Sequence, residues 1–205
     1  SGLVEKIASL EVADIQKDGE LRRFAIAGGK SAFKVYCSQC HGSGAQGAPG
    51  YPNLNDDAWI WGGSIDQIRT TIAHGVRYDD DPDTRYSEMP AFGRDGLLER
   101  AQITSVAQYV LSLSNRATDQ TLVEDGATVY AENCAACHGD RALGDRELGA
   151  PNLRDAIWLY GGTADDIYAQ VQQPQHGVMP AWQSRLGDVT VKQLALYIHS
   201  LGGGE

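Results

Sequence analysis

Apolar side chains recur at helical spacing in both halves of the chain and predict a set of amphipathic helices. Between residues 28 and 41 they return every three or four positions, which predicts a helix over this stretch. Each half also closes with a stretch rich in apolar positions, at 97–113 and at 189–201, which predicts one terminal helix for each half. The pattern is therefore typical of an all-α chain.

The pattern of the first half returns in the second. Gly29, Phe33, Tyr36 and Cys37 are followed 97 residues later by Gly126, Tyr130, Asn133 and Cys134. Two Pro-Asn-Leu segments, one in each half, lead to a tryptophan and a Gly-Gly pair. This internal repeat predicts two domains, at 25–113 and 121–205, with a lead-in segment over 1–24 and a linker over 114–120.

A further helix follows the Gly-Gly pair in each repeat. Ser64 and Thr163 are placed as N-caps, and the helices are expected to end near His74 and Gln172. After the first of these helices the chain carries 12 residues, 77–88, that the second half lacks, and five of them are acidic. Residues 202–205 carry no feature that predicts order.

Charge and composition exclude some partners. The formal charge of the 205 residues is -10, which argues against nucleic acid or anionic lipid, since both require a basic face. No stretch reaches the 18 or more apolar residues of a membrane-spanning helix. Because the chain starts with a serine, we expect a soluble piece from which an N-terminal anchor has been removed.

The four cysteines of the chain all lie in two Cys-x-x-Cys-His motifs, which are typical of covalent haem c attachment. The residues are Cys37, Cys40 and His41 in the first motif and Cys134, Cys137 and His138 in the second. A redox dithiol or a structural zinc site is the alternative, but neither explains the two histidines. Two haems c are therefore predicted, and their attachment needs an oxidising compartment, which in a bacterium is the periplasm.

Met89 and Met179 are the only methionines, and each is followed by Pro-Ala-aromatic. One Met-Pro for each motif is what axial His/Met ligation of two haem irons requires. The alternative is that methionine fills gaps in a core. His74 and His176 are further candidates to replace a methionine on the iron, although both methionines are already suitably placed.

Two proline and two tryptophan residues are candidates for contacts around the haems. The carbonyl of Pro52 or Pro151 is suited to accept the Nδ1–H of the axial histidine, and an ordinary turn is the alternative. Trp59 and Trp158 are suited to donate an indole N–H to a haem propionate, and core packing is an equal possibility.

The tryptophan segments at 51–63 and 150–162, together with the 24–29 lead-in to the first motif, resemble the dihaem subunit III of cbb3-type cytochrome c oxidases. The resemblance implies an all-α fold of two tandem cytochrome c class I domains, each with its attachment helix crossed by its own C-terminal helix. It implies the axial pairs His41 with Met89 and His138 with Met179. It also implies an N-terminal membrane anchor and a position on the periplasmic side of the bacterial inner membrane.

The function implied by this resemblance is electron relay from a donor cytochrome, through two haems, to the other subunits and catalytic core of the oxidase. With both axial positions filled, neither iron would bind oxygen, so no catalysis by this chain is expected. Three alternatives remain at this point. They are a free dihaem cytochrome c or dehydrogenase subunit, a dihaem peroxidase, and a ligand-gated sensor.

Overall fold

The computed structural model describes residues 2–155 and 157–205, and these residues form helices and isolated β-bridges. The all-α prediction is confirmed. The helices are α1 (Gly2–Ser9), α2 (Val12–Lys17), α3 (Gly19–Tyr36), α4 (Ser38–His41), α5 (Ile65–His74), α6 (Arg100–Ser112), α7 (Val123–Asn133), α8 (Ala135–His138), α9 (Ala164–Gln172) and α10 (Gln183–His199). A short 3₁₀ helix, Gln120–Leu122, precedes α7.

The helices form two compact units whose limits differ from the predicted domains. Unit 1 contains the chain up to Tyr86 together with Gly177–Glu205, and unit 2 contains Ser87–His176. The predicted domains, 25–113 and 121–205, are therefore wrong as structural units. The final third of each repeat packs with the beginning of the other repeat.

In unit 1 the long helix α3 crosses α10 at a glycine. A Cβ at Gly29 would collide with the carbonyl oxygen of Gln193, so only glycine permits this approach of the two backbones. One turn further along, the rings of Phe33 and Tyr197 lie 5.5 Å apart between centroids. The partner of the first attachment helix is thus the last helix of the chain.

Unit 2 uses the same crossing with the other pair of helices. A Cβ at Gly126 on α7 would collide with the carbonyl oxygen of Ser105 on α6, and the rings of Tyr109 and Tyr130 lie 5.1 Å apart. The expectation that each attachment helix is crossed by the terminal helix of its own repeat is wrong. Because α6 and α10 offer equivalent surfaces, the same interface forms after an exchange of helices, as in domain swapping.

The capped helices form as predicted. Ser64 caps α5 and Thr163 caps α9, and both caps are reciprocal, with Gln67 and Asp166 returning a hydrogen bond to the cap backbone. The helices end at His74 and Gln172, as expected from sequence. Helix α5 packs on α10 in unit 1, and α9 packs on α6 in unit 2.

The predicted lead-in segment is part of the core of unit 1. Ile7, Val12 and Ile15 on α1 and α2 are fully buried. Asp18 then accepts hydrogen bonds from the backbone amides of the first turn of α3, so this helix begins at Gly19. The predicted boundary at residue 24 therefore falls inside a helix and is wrong.

A buried lysine joins α1 to α10. The ammonium of Lys192, a residue 4% exposed, donates to the carbonyl oxygens of Ile7, Ala8 and Leu10 at the end of α1. It also forms an ion pair of 2.7 Å with Asp188 one turn earlier. A buried cation needs such partners, and the carbonyl oxygens at the end of α1 would otherwise lack hydrogen-bond donors from within that helix.

The first part of the insert 77–88 packs against unit 1. The Arg77 amide donates to the Arg85 carbonyl, and the Arg85 amide donates to the Gly75 carbonyl. The Arg85 side chain donates to the Thr71 hydroxyl at 2.8 Å and lies over the Trp61 ring at 5.6 Å. The insert is therefore ordered by contacts with α5 and with the tryptophan segment.

The C-terminal residues also differ from expectation. The Glu205 amide donates to the Gly63 carbonyl at 2.9 Å, and the Glu205 carbonyl is 2.7 Å from Nε2 of His199. The prediction that 202–205 has no reason to be ordered is wrong, because the Gly-Gly pair of the first repeat offers the backbone groups that the tail binds.

The exchange of helices predicts which aromatic pairs are energetically coupled. A double-mutant cycle with Phe33→Leu and Tyr197→Leu should give a coupling of about 0.5–1.5 kcal/mol in the free energy of unfolding, since these rings are in contact. The matched control is the cycle of Phe33→Leu with Tyr109→Leu, for which we expect no coupling. Coupling to Tyr109 instead of Tyr197, measured by denaturant unfolding, would contradict the exchange.

The ion pairs of Asp188 predict a pH dependence of stability. Burial acts to raise the pKa of Asp188, but hydrogen bonds from Lys192 and Arg69 hold this pKa below its ordinary value. The stabilisation is therefore present above the unfolded-state pKa of about 4, and it is lost as pH falls through the lower folded-state pKa.

The variant Asp188→Asn should have a lower free energy of unfolding at pH 7 than wild type and a weaker loss of stability in acid. Thermal unfolding followed over the acid range measures both effects. Asp14→Asn, which breaks an exposed pair with Lys17, is the control and should cost little at pH 7. An Asp188→Asn variant as stable as wild type at neutral pH would refute the assignment.

Candidate haem site

The attachment motifs lie where a long helix stops and a single further turn begins. In the first motif, the Cys37 amide still donates to the Phe33 carbonyl of α3, and the His41 amide donates back to the Cys37 carbonyl. The second motif repeats this geometry at Cys134 and His138. Cysteine and histidine are thus held on one tight turn at the end of α3 or α7.

The two cysteines of each motif differ in environment. Cys37 and Cys134 are buried, whereas Cys40 and Cys137 are exposed. Burial, with the neighbouring cysteine adding to it, raises the pKa of Cys37 and of Cys134 to about 11. Each motif therefore places one thiol in the core and one at its edge.

A backbone carbonyl orients the histidine of each motif. Nδ1 of His41 lies 3.1 Å from the Pro52 carbonyl oxygen, and Nδ1 of His138 lies 3.0 Å from that of Pro151. The hydrogen bonds that the sequence predicted are present. Since the carbonyl can only accept, Nδ1 carries the proton and the lone pair is on Nε2. Burial also lowers the pKa of both histidines, against the opposing effect of the carbonyl.

The methionines lie in the cores opposite to those implied by the resemblance. Met179 packs against the core of unit 1, which includes Cys37, and Met89 packs against the core of unit 2, which includes Cys134. The pairing of His41 with Met89 and of His138 with Met179 is therefore wrong. The implied pairing fails because each methionine lies in the same unit as the helix that follows it. Met179 lies in unit 1 with α10, and Met89 lies in unit 2 with α6.

The two methionine backbones are held by different groups. Met179 forms an antiparallel bridge with Val76, with hydrogen bonds of 3.0 and 2.9 Å in the two directions. The Met89 amide instead donates to Nε2 of His176 at 3.1 Å. The sequence predicts His176 only as a rival ligand, and it places His176 three residues before Met179 and not near Met89.

The indole N–H groups of the two tryptophans differ in their hydrogen bonding. The Trp59 indole N–H donates to the Gly203 carbonyl in the C-terminal tail, so the prediction that it donates to a propionate is not met. The indole N–H of Trp158 is buried and has no hydrogen-bond partner among the residues that the structure describes. A buried N–H without an acceptor is costly in a finished protein, and a haem carboxylate is an acceptor suited to it.

His74, the other candidate histidine of unit 1, contacts an acidic residue of the insert. Its Nδ1 lies 3.2 Å from both carboxylate oxygens of Asp81 in the insert. Asp83 lies close to the same pair, so His74, Asp81 and Asp83 form a small cluster on unit 1. The acidic residues of the insert are thus partly used to bind the histidine that precedes it.

The residues in each unit fit a haem c. Paired thiols, an oriented neutral histidine, a methionine in the same core and, in unit 2, an unpaired indole N–H are the groups that such a cofactor requires. The fold and this donor set define the class of the protein as a c-type cytochrome.

Comparison with known proteins gives the family. The sequence profile of cbb3-type cytochrome c oxidase subunit III matches residues 24–110 and 121–198. The chain is 57% identical to the cbb3-type cytochrome c oxidase subunit FixPc of Rhizobium leguminosarum bv. viciae over 202 residues, which cover 98% of this chain and 70% of the relative. It is 48% identical to subunit CcoP of Cereibacter sphaeroides over 201 residues, 98% of this chain and 69% of the relative.

The chain belongs to the cbb3-type cytochrome c oxidase subunit III family. The resemblance seen in the sequence is confirmed, and so is electron transfer as the predicted function. The two matched segments follow the sequence repeats, whereas the compact units exchange their final helices. Among the residues described, no helix has both the length and the apolar character needed to cross a membrane.

Because the indole N–H groups of Trp59 and Trp158 differ in their hydrogen bonding, we expect different effects when each tryptophan is replaced. Trp158→Phe should lower the reduction potential of one haem, because a propionate that loses a hydrogen-bond donor leaves more negative charge beside the iron. Trp59→Phe should leave both potentials unchanged and should loosen the C-terminal tail. Redox titration, with amide exchange at Glu205 as a second readout, separates the two. Equal shifts in both variants would contradict the assignment.

Proposed function

We propose that this chain relays electrons through two covalently attached haems c, from a donor cytochrome to the catalytic core of a cbb3-type oxidase, without catalysing a reaction of its own. The observation that carries the proposal is that each compact unit contains one oriented neutral histidine and one methionine. This donor set would hold the iron of one haem in each unit and would leave it no open position. Membership of the oxidase subunit family supports the destination of the electrons.

The first haem site is formed by Cys37, Cys40, His41 and Met179, and the second by Cys134, Cys137, His138 and Met89. The thiols bind the porphyrin covalently, and the Pro52 and Pro151 carbonyls fix the rings of the histidines. When bound, each haem supplies a one-electron iron couple, and a methionine ligand raises its potential. The work of the protein is to orient the ligands and to keep water from them.

The absence of an open axial position distinguishes this proposal from a peroxidase or a ligand sensor, both of which need one. His176 does not alter this, because its Nε2 accepts the Met89 amide proton. His74 belongs to unit 1, whose core already contains Met179 as a ligand. The relatives named above carry cbb3-type oxidase names, which favours an oxidase subunit over a free cytochrome or a dehydrogenase subunit.

Location and partners follow from the same chemistry. Covalent attachment to cysteine pairs is completed in an oxidising compartment, which favours the periplasmic side of the inner membrane. The chain spans about 70% of the length of its relatives, and we propose an N-terminal anchor beyond it. The donor is a cytochrome, and the net charge of -10 favours one with a basic face.

The exchanged ligands give the decisive experiment. In a protein that retains only the second haem, made by replacing Cys37 and Cys40 with alanine, Met89→Leu should abolish the methionine-to-iron charge-transfer band and lower the remaining potential. Met179→Leu in the same protein should do neither. The reciprocal protein, with Cys134 and Cys137 replaced, should respond to Met179→Leu alone. Optical spectra and redox titration measure both effects.

The opposite response, with Met179 controlling the second haem, would refute the exchanged pairing while leaving electron relay intact. A wild-type protein that binds carbon monoxide readily in the ferrous state would contradict the relay itself, since that result requires an open iron. Oxygen consumption by the assembled oxidase should fall in both methionine variants if the chain carries the electrons.

A further inference from the structure

The His-Gly-Val motif occurs twice, yet its two histidines have different partners. In unit 1, Nδ1 of His74 contacts the Asp81 carboxylate, and Val76 of the same motif pairs with the Met179 backbone. In unit 2, the His176 ring itself contacts the methionine segment, because its Nε2 accepts the Met89 amide proton. The same sequence motif thus supports a methionine in two ways.

The difference affects how firmly each methionine backbone is fixed. The bridge between Val76 and Met179 has two backbone hydrogen bonds and contains no side chain. The described hydrogen bond of the Met89 amide goes to one imidazole. An Nε2 that accepts must carry its lone pair, so the ring is the tautomer with its proton on Nδ1. Replacing that ring removes the acceptor, whereas replacing a side chain in unit 1 leaves the bridge in place.

Backbone hydrogen bonds also fix the segment that follows Met89. The Arg94 amide donates to the Gln172 carbonyl at the end of α9, and the Phe92 amide donates to the Pro90 carbonyl within the segment itself. These bonds tie 92–94 to the unit, but they lie three residues or more after the methionine. The His176 imidazole, in contrast, contacts the Met89 backbone itself.

We propose that His176 is a positioning residue for Met89, so that the ligation and potential of the second haem depend on one imidazole while the first haem is independent of the equivalent His74. This inference rests on the proposed ligation of the second iron by Met89. His176 does not touch the iron in this role. It acts through the backbone of the ligand.

The test uses the dihaem protein with three variants. His176→Leu removes the acceptor, His176→Gln supplies an amide oxygen at the reach of Nε2, and His74→Leu is the matched control in the other motif. We expect His176→Leu to lose about half of the methionine-to-iron charge-transfer band and to lower one of the two reduction potentials. His176→Gln should restore most of both signals, and His74→Leu should keep the full band and both potentials.

Unchanged band and potentials in His176→Leu would overturn the inference, as would an equal fall of both potentials, which a general loss of packing would cause. If His176→Leu is not recovered with two haems, His176→Asn provides the same test, because its shorter amide does not reach the Met89 amide. A wild-type protein in which only the first haem has the charge-transfer band would refute ligation by Met89, and so the proposed site. An intact wild-type band with an insensitive His176 would refute the positioning role alone.

Discussion

Close approach of two helix backbones at a single glycine is the constraint on which both compact units depend. Gly29 lets α3 meet the Gln193 carbonyl, and Gly126 lets α7 meet the Ser105 carbonyl. Any side chain at these positions would push the helices apart and would open the core that lines the attachment motif. The aromatic pair one turn away then fills the wider part of each crossing. The position of each histidine follows from where its long helix is held.

The two sites share the contacts that the backbone provides, and they differ in the contacts that side chains provide. Both histidines are oriented by a proline carbonyl, at nearly the same distance. The tryptophans, in contrast, occupy equivalent places, but one donates to the C-terminal tail and the other has a donor left for a ligand. The methionine segments also differ, because the Met179 amide donates to a backbone carbonyl and the Met89 amide donates to the His176 side chain. An internal repeat can therefore conserve the orientation of the histidine and still give its two candidate sites unequal surroundings.

The helix ends and the attachment turns were predictable from the sequence, because contacts between residues close in the chain determine them. The caps at Ser64 and Thr163 satisfy amides within their own helices, and the Cys-x-x-Cys-His spacing fixes a single turn. The exchange was not predictable, because Tyr109 and Tyr197 present the same type of surface to Phe33 or Tyr130, and periodicity does not say which partner is chosen. The burial of α1 escaped for a related reason, since its contact with Lys192 joins residues 185 positions apart.

The separation of these contacts along the chain has a consequence for the order of folding. Unit 2 is continuous, and short-range bonds such as that between Gln108 and Thr118, ten positions apart, close its turns. Unit 1 cannot close until α10 has been synthesised, because its crossing helix and its methionine come from the end of the chain. Long-range closure of this kind is slow. The unit whose helices are synthesised first is thus completed last, and Cys37 and Cys40 lie beside an incomplete core until α10 has packed against α3.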